Sequence, residues 1–275
     1  KSSELYRENI KTKIIAITGS CGKTTLKELL GSSLNQLSKV GISPKSYNNK
    51  YGVPLSLFNL DQKNNYGVLE IGMDKKGEID YLSKIVKPDV SVITNINYAH
   101  AQNFKNLRQI ALAKSEIINN TKVNGSIVLN SDDNFFILHK KIANKRNLKI
   151  LSFGINNQNA NIKLISIKKI SNKFKATIRV NNLKTYFFIS NNFQNNILNI
   201  LATLAVMSIF LDISRLNKNI FMHFKTPNGR GDIVKIKIDK KNLNLIDESY
   251  NSNPLSLTSA ILNFDKIKIN KEKKY

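Results

Sequence analysis

A glycine-containing turn between a strand-like run and a helix-like run is the first feature of this sequence that could do chemistry. The apolar run ends at Gly19, and Gly-Ser-Cys-Gly-Lys-Thr-Thr then leads directly into a helix pattern. Backbone N–H groups placed in this way at a helix N-terminus form a cradle for phosphate oxygens. The lysine could reach the β- and γ-phosphates, and the threonine after it could ligate Mg²⁺. The residues assigned to this nucleotide-binding loop are Gly19, Ser20, Cys21, Gly22, Lys23, Thr24 and Thr25.

The loop is shorter than the common phosphate-binding motif. That motif places its first glycine five positions before the glycine that precedes the lysine. Counting back from Gly22 gives Ile17, which lies within the predicted strand. The spacing alone therefore leaves two interpretations open, a compact phosphate loop and an ordinary turn between a strand and a helix.

Polar residues also follow two other apolar runs. Glu70 ends the second run, and His100 comes just after the third. The carboxyl ends of parallel strands meet at one edge of a sheet, where ligands bind, and a carboxylate there suits Mg²⁺. The alternatives are an ordinary exposed glutamate and a structural histidine. Lys114, on a predicted helix, would by itself be a solvated charge, and His139 and His223 fall in predicted helices as structural residues.

The alternation of apolar strands and helices predicts the fold class. Strands are expected at 13–19, 65–72 and 88–96, and helices include 106–120. Apolar strands between helices imply a parallel sheet covered on both faces. After residue 160, short strands separated by turn-like pairs suggest antiparallel pairing, and a further helix is expected over 214–224. We predict an α/β protein with a doubly wound, mostly parallel P-loop sheet, helices on both faces and a small antiparallel sheet.

Composition narrows the class of protein. The 275 residues include 43 Lys or Arg and 19 Asp or Glu, a formal net charge of +24. Such a balance can indicate nucleic-acid binding, but the lysines are spread along the chain without interleaved aromatic residues. No apolar run reaches the ~20 residues of a membrane span. One cysteine excludes an internal disulfide and suits a reducing cytoplasm. We expect a cytoplasmic monomer without a nucleic-acid partner or a membrane span.

Taken in order, the short motifs of this chain resemble the central ATPase domain of the Mur ligases. That family uses the short Gly-x-x-Gly-Lys-Thr loop found here, which accounts for the absent first glycine. Each motif is weak alone, but the ordered set is specific and spans nearly the whole chain. The motifs are ITGSCGKTTLKE, YNNKYGVPLSL, LEIGMDKKGEIDYL, KPDVSVITNINYAH, IALAKSEI, LNSDD, NNILNILA, GRGD and DESYNSNP.

The resemblance implies an ATP-dependent amide ligase of peptidoglycan precursor synthesis, a process of cell wall biogenesis that supports cell shape and division. The motifs are most similar to the member that joins D-alanyl-D-alanine to UDP-N-acetylmuramoyl-tripeptide, so these compounds are the implied substrates. ATP would phosphorylate a substrate carboxylate, and an amine would then displace phosphate from the acyl phosphate. The implied cofactors are ATP, two Mg²⁺ ions and a carbamylated lysine.

Catalytic and metal-binding roles are carried over to the matching positions. Lys23 would hold ATP. Thr24 and Glu70 would hold one Mg²⁺, and His100 would help to hold a second. Lys114 matches the family lysine that reacts with CO₂, and its carbamate would be a further metal ligand. The implied catalytic residues are therefore Lys23, Glu70, His100 and Lys114.

Further roles concern the nucleotide and the substrate. Asn199 corresponds to an asparagine on the adenine side of the nucleotide. Arg230 matches an arginine near the phosphates, and Asp247 matches a nucleotide-side acid at a hinge. Asn48 and Asn49 fall in the loop that faces the muramoyl-peptide substrate.

The resemblance also implies domain boundaries. Residues 1–12 would follow an N-terminal domain for the uridine nucleotide, 13–264 would form the central ATPase domain, and 265–275 would begin a C-terminal ligase domain. Such an isolated central domain is expected to bind Mg·ATP weakly and to ligate very little, because closure completes such sites. The alternatives are another Mur ligase, a folylpolyglutamate synthetase-like ligase and a non-catalytic nucleotide-binding remnant.

Overall fold

A nine-stranded sheet forms the centre of Lys1–Phe224, the first of two units into which the chain packs. The computed structural model describes residues 1–98, 103–190, 196–238, 241–250 and 254–266. The strands of this sheet are β1 (Lys13–Thr18), β2 (Val40–Ile42), β3 (Tyr66–Glu70), β4 (Val90–Ile93), β5 (Ser126–Asn130), β6 (Lys149–Gly154), β7 (Ile162–Ile170), β8 (Lys173–Val180) and β9 (Leu183–Ser190). Their spatial order is β2-β3-β1-β4-β5-β6-β7-β8-β9.

The helices of this unit alternate with the strands along the chain. Their ends carry the expected signals: the Asn106 side chain accepts a hydrogen bond from Gln109 N–H at 3.0 Å and caps one helix. Glu78 and Asp80 lie in the first turn of another, where negative charge is favourable. The helices are α1 (Ser2–Asn9), α2 (Lys23–Asn35), α3 (Gly52–Phe58), α4 (Glu78–Val86), α5 (Leu107–Asn119), α6 (Phe136–Lys145) and α7 (Ile197–Phe210).

The chain reverses direction across the sheet at β1. This strand pairs in parallel with β3 on one side and with β4 on the other. The loops that follow β1, β3 and β4 therefore meet at one edge of the sheet, at a topological switch point. Ligands of open α/β sheets bind at such points. The predicted doubly wound parallel sheet is confirmed, and the switch point identifies the edge where a site is expected.

Alternate residues of β1 belong to two separate hydrophobic clusters. Ile15 and Ile17 are fully buried in a cluster with residues of α2 and α7. Ile14 and Ala16 are fully buried in the other cluster, with residues of α3, α4 and α5. Both faces of the sheet are therefore covered by helices, as a run of consecutive apolar residues in a parallel strand requires.

The antiparallel strands extend the same sheet at its far edge. β7 pairs in parallel with β6, and β8 and β9 then follow in antiparallel register. The helix predicted over 214–224 is wrong, since only a 3₁₀ turn forms, at Ile213–Arg215. The Asp212 carboxylate accepts a hydrogen bond from Ser214 N–H, and Asn217 Oδ1 accepts one from Asn219 N–H. These local bonds favour turns over a continuous helix.

The second unit, Lys225–Tyr275, contains a two-stranded antiparallel sheet and a helix. Its elements are β10 (Asp232–Ile238), β11 (Lys241–Asp247) and α8 (Pro254–Lys266). β10 and β11 pair in antiparallel register from Asp232 opposite Asp247 to Ile238 opposite Lys241. No helix in the described part of either unit combines the length and the apolar character that crossing a membrane would need.

A buried arginine stabilises the main sheet at the amino-terminal ends of its central strands, opposite to the switch point. Arg7 of α1 is 3% exposed. Its Nε donates to the Val86 carbonyl at 2.6 Å, and its Nη2 donates to the Lys87 carbonyl at 3.1 Å and to Asp89 Oδ2 at 3.0 Å. The same Asp89 oxygen accepts from Ile14 N–H at 2.9 Å. Arg7 therefore joins α1, the end of α4 and the beginnings of β1 and β4.

We expect Arg7→Met to lower the free energy of unfolding by about 3 kcal/mol, because it leaves a carboxylate and three carbonyl groups, that of Ile10 included, without their buried partner. Chemical denaturation of the two proteins measures the difference. Arg215→Met is the matched control, since the Arg215–Asp212 ion pair lies at the surface and such pairs contribute little. Equal effects of the two substitutions would contradict this account of Arg7.

Candidate nucleotide-binding site

The predicted loop connects β1 directly to α2. Gly19 follows the last residue of β1, and Lys23 is the first residue of α2. Gly19 and Gly22 have φ angles of +145° and +80°, which glycine adopts without a steric penalty. A Cβ on Gly19 would overlap the Thr94 hydroxyl, just beyond β4. The two glycines therefore permit both the tight turn and its close approach to the neighbouring strand.

Residues beyond β4 hold the loop from its side. Asn95 Oδ1 accepts a hydrogen bond from Cys21 N–H at 3.0 Å, and Asn95 Nδ2 donates to the Cys21 carbonyl at 3.1 Å. The Thr94 hydroxyl donates to that carbonyl at 2.7 Å. Sequence reasoning missed Thr94 and Asn95. Their position at the end of an apolar strand, on the same edge as Glu70, is the signal that could have found them.

Glu70 meets the beginning of α2. It is the last residue of β3 and is 2% exposed. The Thr24 hydroxyl donates to Glu70 Oε2 at 2.7 Å, and the Lys23 ammonium donates to the Gly19 carbonyl at 3.0 Å. Thr25 is buried within the same helical turn. The alternative of an ordinary exposed glutamate is excluded, and the structure brings the loop, a hydroxyl and a carboxylate to one point.

The two candidate substrate residues differ in their contacts. Asn48 Nδ2 donates to Glu70 Oε1 at 2.7 Å, so its amide lies against the predicted metal ligand. Asn49 Oδ1 accepts from Tyr51 N–H at 3.1 Å and from Gly52 N–H at 3.0 Å. The Asn49 side chain therefore stabilises the beginning of α3. Both residues lie in the segment that leads from β2 to α3, beside the switch point.

Lys114 is buried on α5, with 2% of its side chain exposed. The interpretation of this residue alone as a solvated charge is therefore wrong. Burial lowers the pKa of Lys114 well below the ordinary lysine value, and the positive charge of Lys23 lowers it further, against an opposite effect of Cys21. A lowered pKa favours the neutral amine, which is the nucleophilic form of lysine.

Glu116 fixes the helix that carries Lys114. Its Oε1 accepts from Gly77 N–H at 2.9 Å, and its Oε2 accepts from Asp80 N–H at 3.1 Å. These amides belong to the N-terminus of α4, where N–H groups have no partner within the helix. The carboxylate therefore docks α5 on α4 and sets the position of Lys114 along the sheet.

Asn199 lies beside the loop. It is a half-buried residue of α7, and its Nδ2 donates to Asn196 Oδ1 at 3.2 Å. A Cβ on Gly22 would lie 3.2 Å from Asn199 Oδ1. The turn before α2 and the first turn of α7 are therefore in close approach, although 177 positions separate the two residues in sequence (199 − 22).

Two further predicted residues belong to the second unit, and a third lies outside the described residues. Arg230 and Asp247 belong to the second unit, where the Arg230 guanidinium stacks on the Tyr250 ring at 4.1 Å. The hydroxyl of Ser249 lowers the pKa of the Asp247 carboxyl, and the Ser249 N–H, which donates to Asp247 Oδ1 at 2.9 Å, lowers it further. His100 lies outside the described residues. The roles of these three residues stay predictions.

His139 is a structural residue of α6. Its Nε2 lies 3.1 Å from the Ala111 carbonyl on α5, and the side chain is 2% exposed. Burial lowers the pKa of His139, with the hydrogen bond and the nearby Asp133 charge acting in the opposite direction. His223 is exposed in a turn, so its predicted helical position is wrong.

Acidification is expected to destabilise the fold through His139. Because its pKa is lowered in the folded state, the unfolded chain binds a proton first as the pH falls below the ordinary histidine value. The stabilising contribution is therefore present above that value and is lost as the pH falls through the folded-state pKa. Urea unfolding midpoints between about pH 8 and pH 5 measure this loss. The slope of the unfolding midpoint against pH should become shallower in His139→Gln and stay unchanged in His223→Gln. Identical slopes in the parent chain and both variants would contradict this role of His139.

The family model for the "Mur ligase middle domain" matches residues 17–207. A UDP-N-acetylmuramoyl-tripeptide–D-alanyl-D-alanine ligase of Buchnera aphidicola subsp. Acyrthosiphon pisum (strain APS) is 38% identical over 266 residues, which cover 93% of this chain and 55% of that protein. The ligase of the same name from Rickettsia prowazekii (strain Madrid E) is 33% identical over 261 residues, covering 93% and 56%. The chain therefore spans about half the length of the curated relatives it matches.

Solved structures agree with the sequence matches. MurF from Acinetobacter baumannii has a TM-score of 0.86 at 29% identity, covering 97% of this chain and 57% of that one. MurF from Thermotoga maritima, solved in complex with ADP, has a TM-score of 0.82 at 27% identity, covering 97% and 60%. The family model covers most of this chain, and the Acinetobacter structure aligns with 97% of it. The chain therefore belongs to the Mur ligase family, and residues 17–207 match its middle domain.

Proposed function

We propose that this chain is the ATP-binding part of an amide ligase that joins D-alanyl-D-alanine to UDP-N-acetylmuramoyl-tripeptide. The observation that carries the proposal is the meeting of the glycine loop with Thr24 and Glu70 at the switch point of the sheet, with the Thr24 hydroxyl 2.7 Å from the carboxylate. The names of the Buchnera and Rickettsia relatives support the substrates. The ADP complex of the Thermotoga protein supports the nucleotide.

The chain's own residues would bind and orient the phosphates. Lys23 would leave the Gly19 carbonyl for the β- and γ-phosphates, and loop N–H groups would hold their oxygens. The γ-phosphoryl group would pass to the tripeptide carboxylate, giving an acyl phosphate and ADP. The amine of D-alanyl-D-alanine would attack the acyl carbon, and phosphate would leave from the tetrahedral intermediate. Positioning and charge neutralisation supply most of the catalysis in such transfers.

Thr24 and Glu70 are suited to hold one Mg²⁺ ion, because a hydroxyl and a carboxylate oxygen are the hard ligands that this ion prefers. We assign a second ion to His100 and Lys114. Bound ions would neutralise charge between the nucleotide and the substrate carboxylate. The structure gives Glu70 two fixed hydrogen-bond partners, Thr24 and Asn48, so its oxygens would enter the metal site in one orientation.

Lys114 is proposed to act as a carbamate. Its neutral amine would attack CO₂, forming a C–N bond and releasing a proton to solvent, and the buried cation would become an anionic oxygen ligand. The lowered pKa of Lys114 supports this proposal, because it raises the fraction of reactive amine. The nearby positive charge of Lys23 disfavours the ammonium form of Lys114. The same charge would stabilise the negatively charged carbamate of Lys114.

The remaining assignments concern the rest of the substrates and the rest of the protein. Asn199, Arg230 and Asp247 are proposed to contact the nucleotide, and Asn48 and Asn49 the muramoyl-peptide. We propose that the chain acts in the cytoplasm as a monomer. Residues 13–264 are proposed as the central domain, preceded by the end of a uridine-nucleotide domain at 1–12 and followed by the beginning of a ligase domain at 265–275.

A chimeric enzyme tests the reaction. The 275 residues replace the matching segment of the Buchnera relative, and the purified chimera receives ATP, Mg²⁺, the tripeptide precursor and an amine substrate. We expect D-alanyl-D-alanine to be ligated with one ADP formed per product, and Lys23→Ala to prevent it. Preferential use of a single amino acid, or of glutamate with a folate acceptor, would contradict the substrate assignment. A folded chimera that binds ATP but ligates nothing would contradict the enzymatic proposal.

A further inference from the structure

A second lysine of α2 is fully buried. Lys27 is 0% exposed and makes three polar contacts. Its ammonium donates to the Ser43 carbonyl at 2.6 Å and to the Lys45 carbonyl, and it pairs with Glu28 Oε1 at 3.0 Å. An ammonium group has three N–H donors. Two carbonyl oxygens and a carboxylate oxygen therefore surround the ammonium, as a buried charge requires.

The two carbonyl contacts hold the segment between β2 and α3. Lys45 has a φ of +44°, a backbone conformation that costs energy for a residue with a side chain. On its other side the segment is joined to β3, because Ser43 N–H donates to the Val68 carbonyl at 3.0 Å and Glu70 N–H donates to Ser43 Oγ at 3.2 Å. Lys27 thus stabilises a strained segment from the helix side.

This segment ends at the residue that orients Glu70. The Asn48 carbonyl accepts from Gly72 N–H at 2.8 Å, and Asn48 Nδ2 donates to Glu70 Oε1 at 2.7 Å. A Cβ on Gly72 would lie 2.9 Å from Asn48 Cγ, so the amide is closely confined. The other carboxylate oxygen, Oε2, is held by Thr24.

Residues of one turn of α2 therefore contact both carboxylate oxygens of Glu70, one directly and one through the segment between β2 and α3. Thr24 and Lys27 are three positions apart and lie on the same side of the helix. Thr24 acts on Oε2 directly, and Lys27 acts on Oε1 through the segment that carries Asn48. We propose that Lys27 is a positioning residue, which fixes Asn48 against Glu70 and thereby orients the carboxylate for Mg²⁺. The metal part of this inference rests on the proposed function; the effect on Asn48 does not.

The test has one readout that needs no nucleotide. In the ¹H–¹⁵N spectrum of the chain, the Asn48 side-chain amide is assigned by its disappearance in Asn48→Ala. Lys27→Met keeps the aliphatic stem and removes the ammonium. We expect the Asn48 resonances to move to the positions of solvent-exposed asparagine amides in Lys27→Met and to stay in place in Lys39→Met, which removes an exposed charge. Unchanged Asn48 resonances in a folded Lys27→Met would overturn the proposal.

The second readout is the gain in ATP affinity on adding Mg²⁺, from calorimetric titrations with and without the ion. We expect Lys27→Met to reduce this gain by about tenfold, as the loss of a residue behind a metal ligand typically does, and to leave metal-free ATP affinity unchanged. The same loss should occur in Asn48→Ala, and the double variant should show no further loss. Equal weakening with and without Mg²⁺, or additive effects, would indicate a general structural role and overturn the proposal.

Two further outcomes separate this inference from the proposed function. If the parent chain binds no ATP but Lys27→Met displaces the Asn48 amide, the ligase proposal fails and the positioning role of Lys27 stands. If Lys27→Met does not fold, Lys27→Gln replaces it, because its amide retains donors for a carbonyl group. Intermediate displacement of the Asn48 resonances in Lys27→Gln supports the proposal, and its absence overturns it.

Discussion

Lys114→Met is expected to stabilise the fold and to abolish ligation. An ammonium at a position that is 2% exposed, close to the Lys23 charge, opposes folding, whereas methionine fills a similar volume without charge. We expect a gain of about 1–3 kcal/mol in the free energy of unfolding near neutral pH, since even buried ion pairs replaced by apolar side chains can stabilise a protein by this order. Ligation by the chimera should be lost, because the variant can form no carbamate. Such opposite effects mark a residue kept for activity at the expense of stability.

The pH dependence of this gain follows from the lowered pKa of Lys114. The unfolded chain holds the lysine proton up to its ordinary pKa, and the folded chain releases it at lower pH. The free energy of unfolding of the parent chain therefore rises with pH between the folded-state pKa of Lys114 and its ordinary value. This contribution is lost as the pH falls through the folded-state pKa. The advantage of Lys114→Met should shrink accordingly between neutral and alkaline pH. Denaturation curves in CO₂-free buffer measure it.

Added bicarbonate distinguishes a carbamate at Lys114 from an unmodified buried lysine. Because a modification that occurs only in the folded state stabilises it, added bicarbonate should stabilise the parent chain and leave Lys114→Met unchanged. ¹³C-labelled bicarbonate should give a carbamate resonance in the parent alone. Lys39→Met controls for the loss of one positive charge. A Lys114→Met variant that is less stable than the parent and still ligates would contradict the account of this residue.

Gly19→Ala is expected to disrupt the loop and to lower the free energy of unfolding by about 3 kcal/mol or more, since it combines backbone strain with overpacking. The φ of +145° is unfavourable for alanine, and its Cβ would overlap the Thr94 hydroxyl. Thr94 and Asn95 hold Cys21 in place, so a displaced strand end would also displace the cradle. We expect Mg·ATP binding to disappear in calorimetric titrations of a variant that remains folded.

The chain contains a matched control for this substitution. Gly77 also has a positive φ, +89°, but a Cβ there would meet no atom within 4 Å. Gly77→Ala therefore measures backbone strain alone, and its smaller effect should leave ATP binding intact. Thr94→Ala removes the overlapping hydroxyl and should partly restore the stability of Gly19→Ala. Equal effects of Gly19→Ala and Gly77→Ala would contradict the proposed clash.

The fold and the loop were predictable because both depend on contiguous sequence. Apolar strands alternating with helices specify a covered parallel sheet, and Gly-x-x-Gly-Lys-Thr leads from β1 into the first turn of α2 as its local pattern indicates. Glu70 was predictable by topology, since every parallel strand ends at the same edge. The prediction of a helix over 214–224 was wrong although apolar residues recur there. The side chains of Asp212 and Asn217 form local hydrogen bonds that stabilise turns instead of a helix.

The contacts that orient the site were not predictable from residue type. Asn95 acts on Cys21 from 74 positions away (95 − 21), and asparagine in a loop is usually an ordinary turn residue. Lys27 and Lys114 are two lysines of a lysine-rich sequence, and lysine side chains are mostly exposed. Only their burial, which depends on the packing of α2 and α5 on the sheet, separates them from solvated charges.

Calorimetric titration of Mg·ATP into the chain and into Lys23→Ala tests the central claim most directly. Lys23 opens α2, and its ammonium now bonds the Gly19 carbonyl within the loop. We predict saturable binding to the parent chain, weakened in Lys23→Ala by about 10- to 100-fold, the effect of losing a hydrogen bond between charged groups. No binding to the folded parent chain, or equal binding to both proteins, would contradict a nucleotide site at this edge of the sheet.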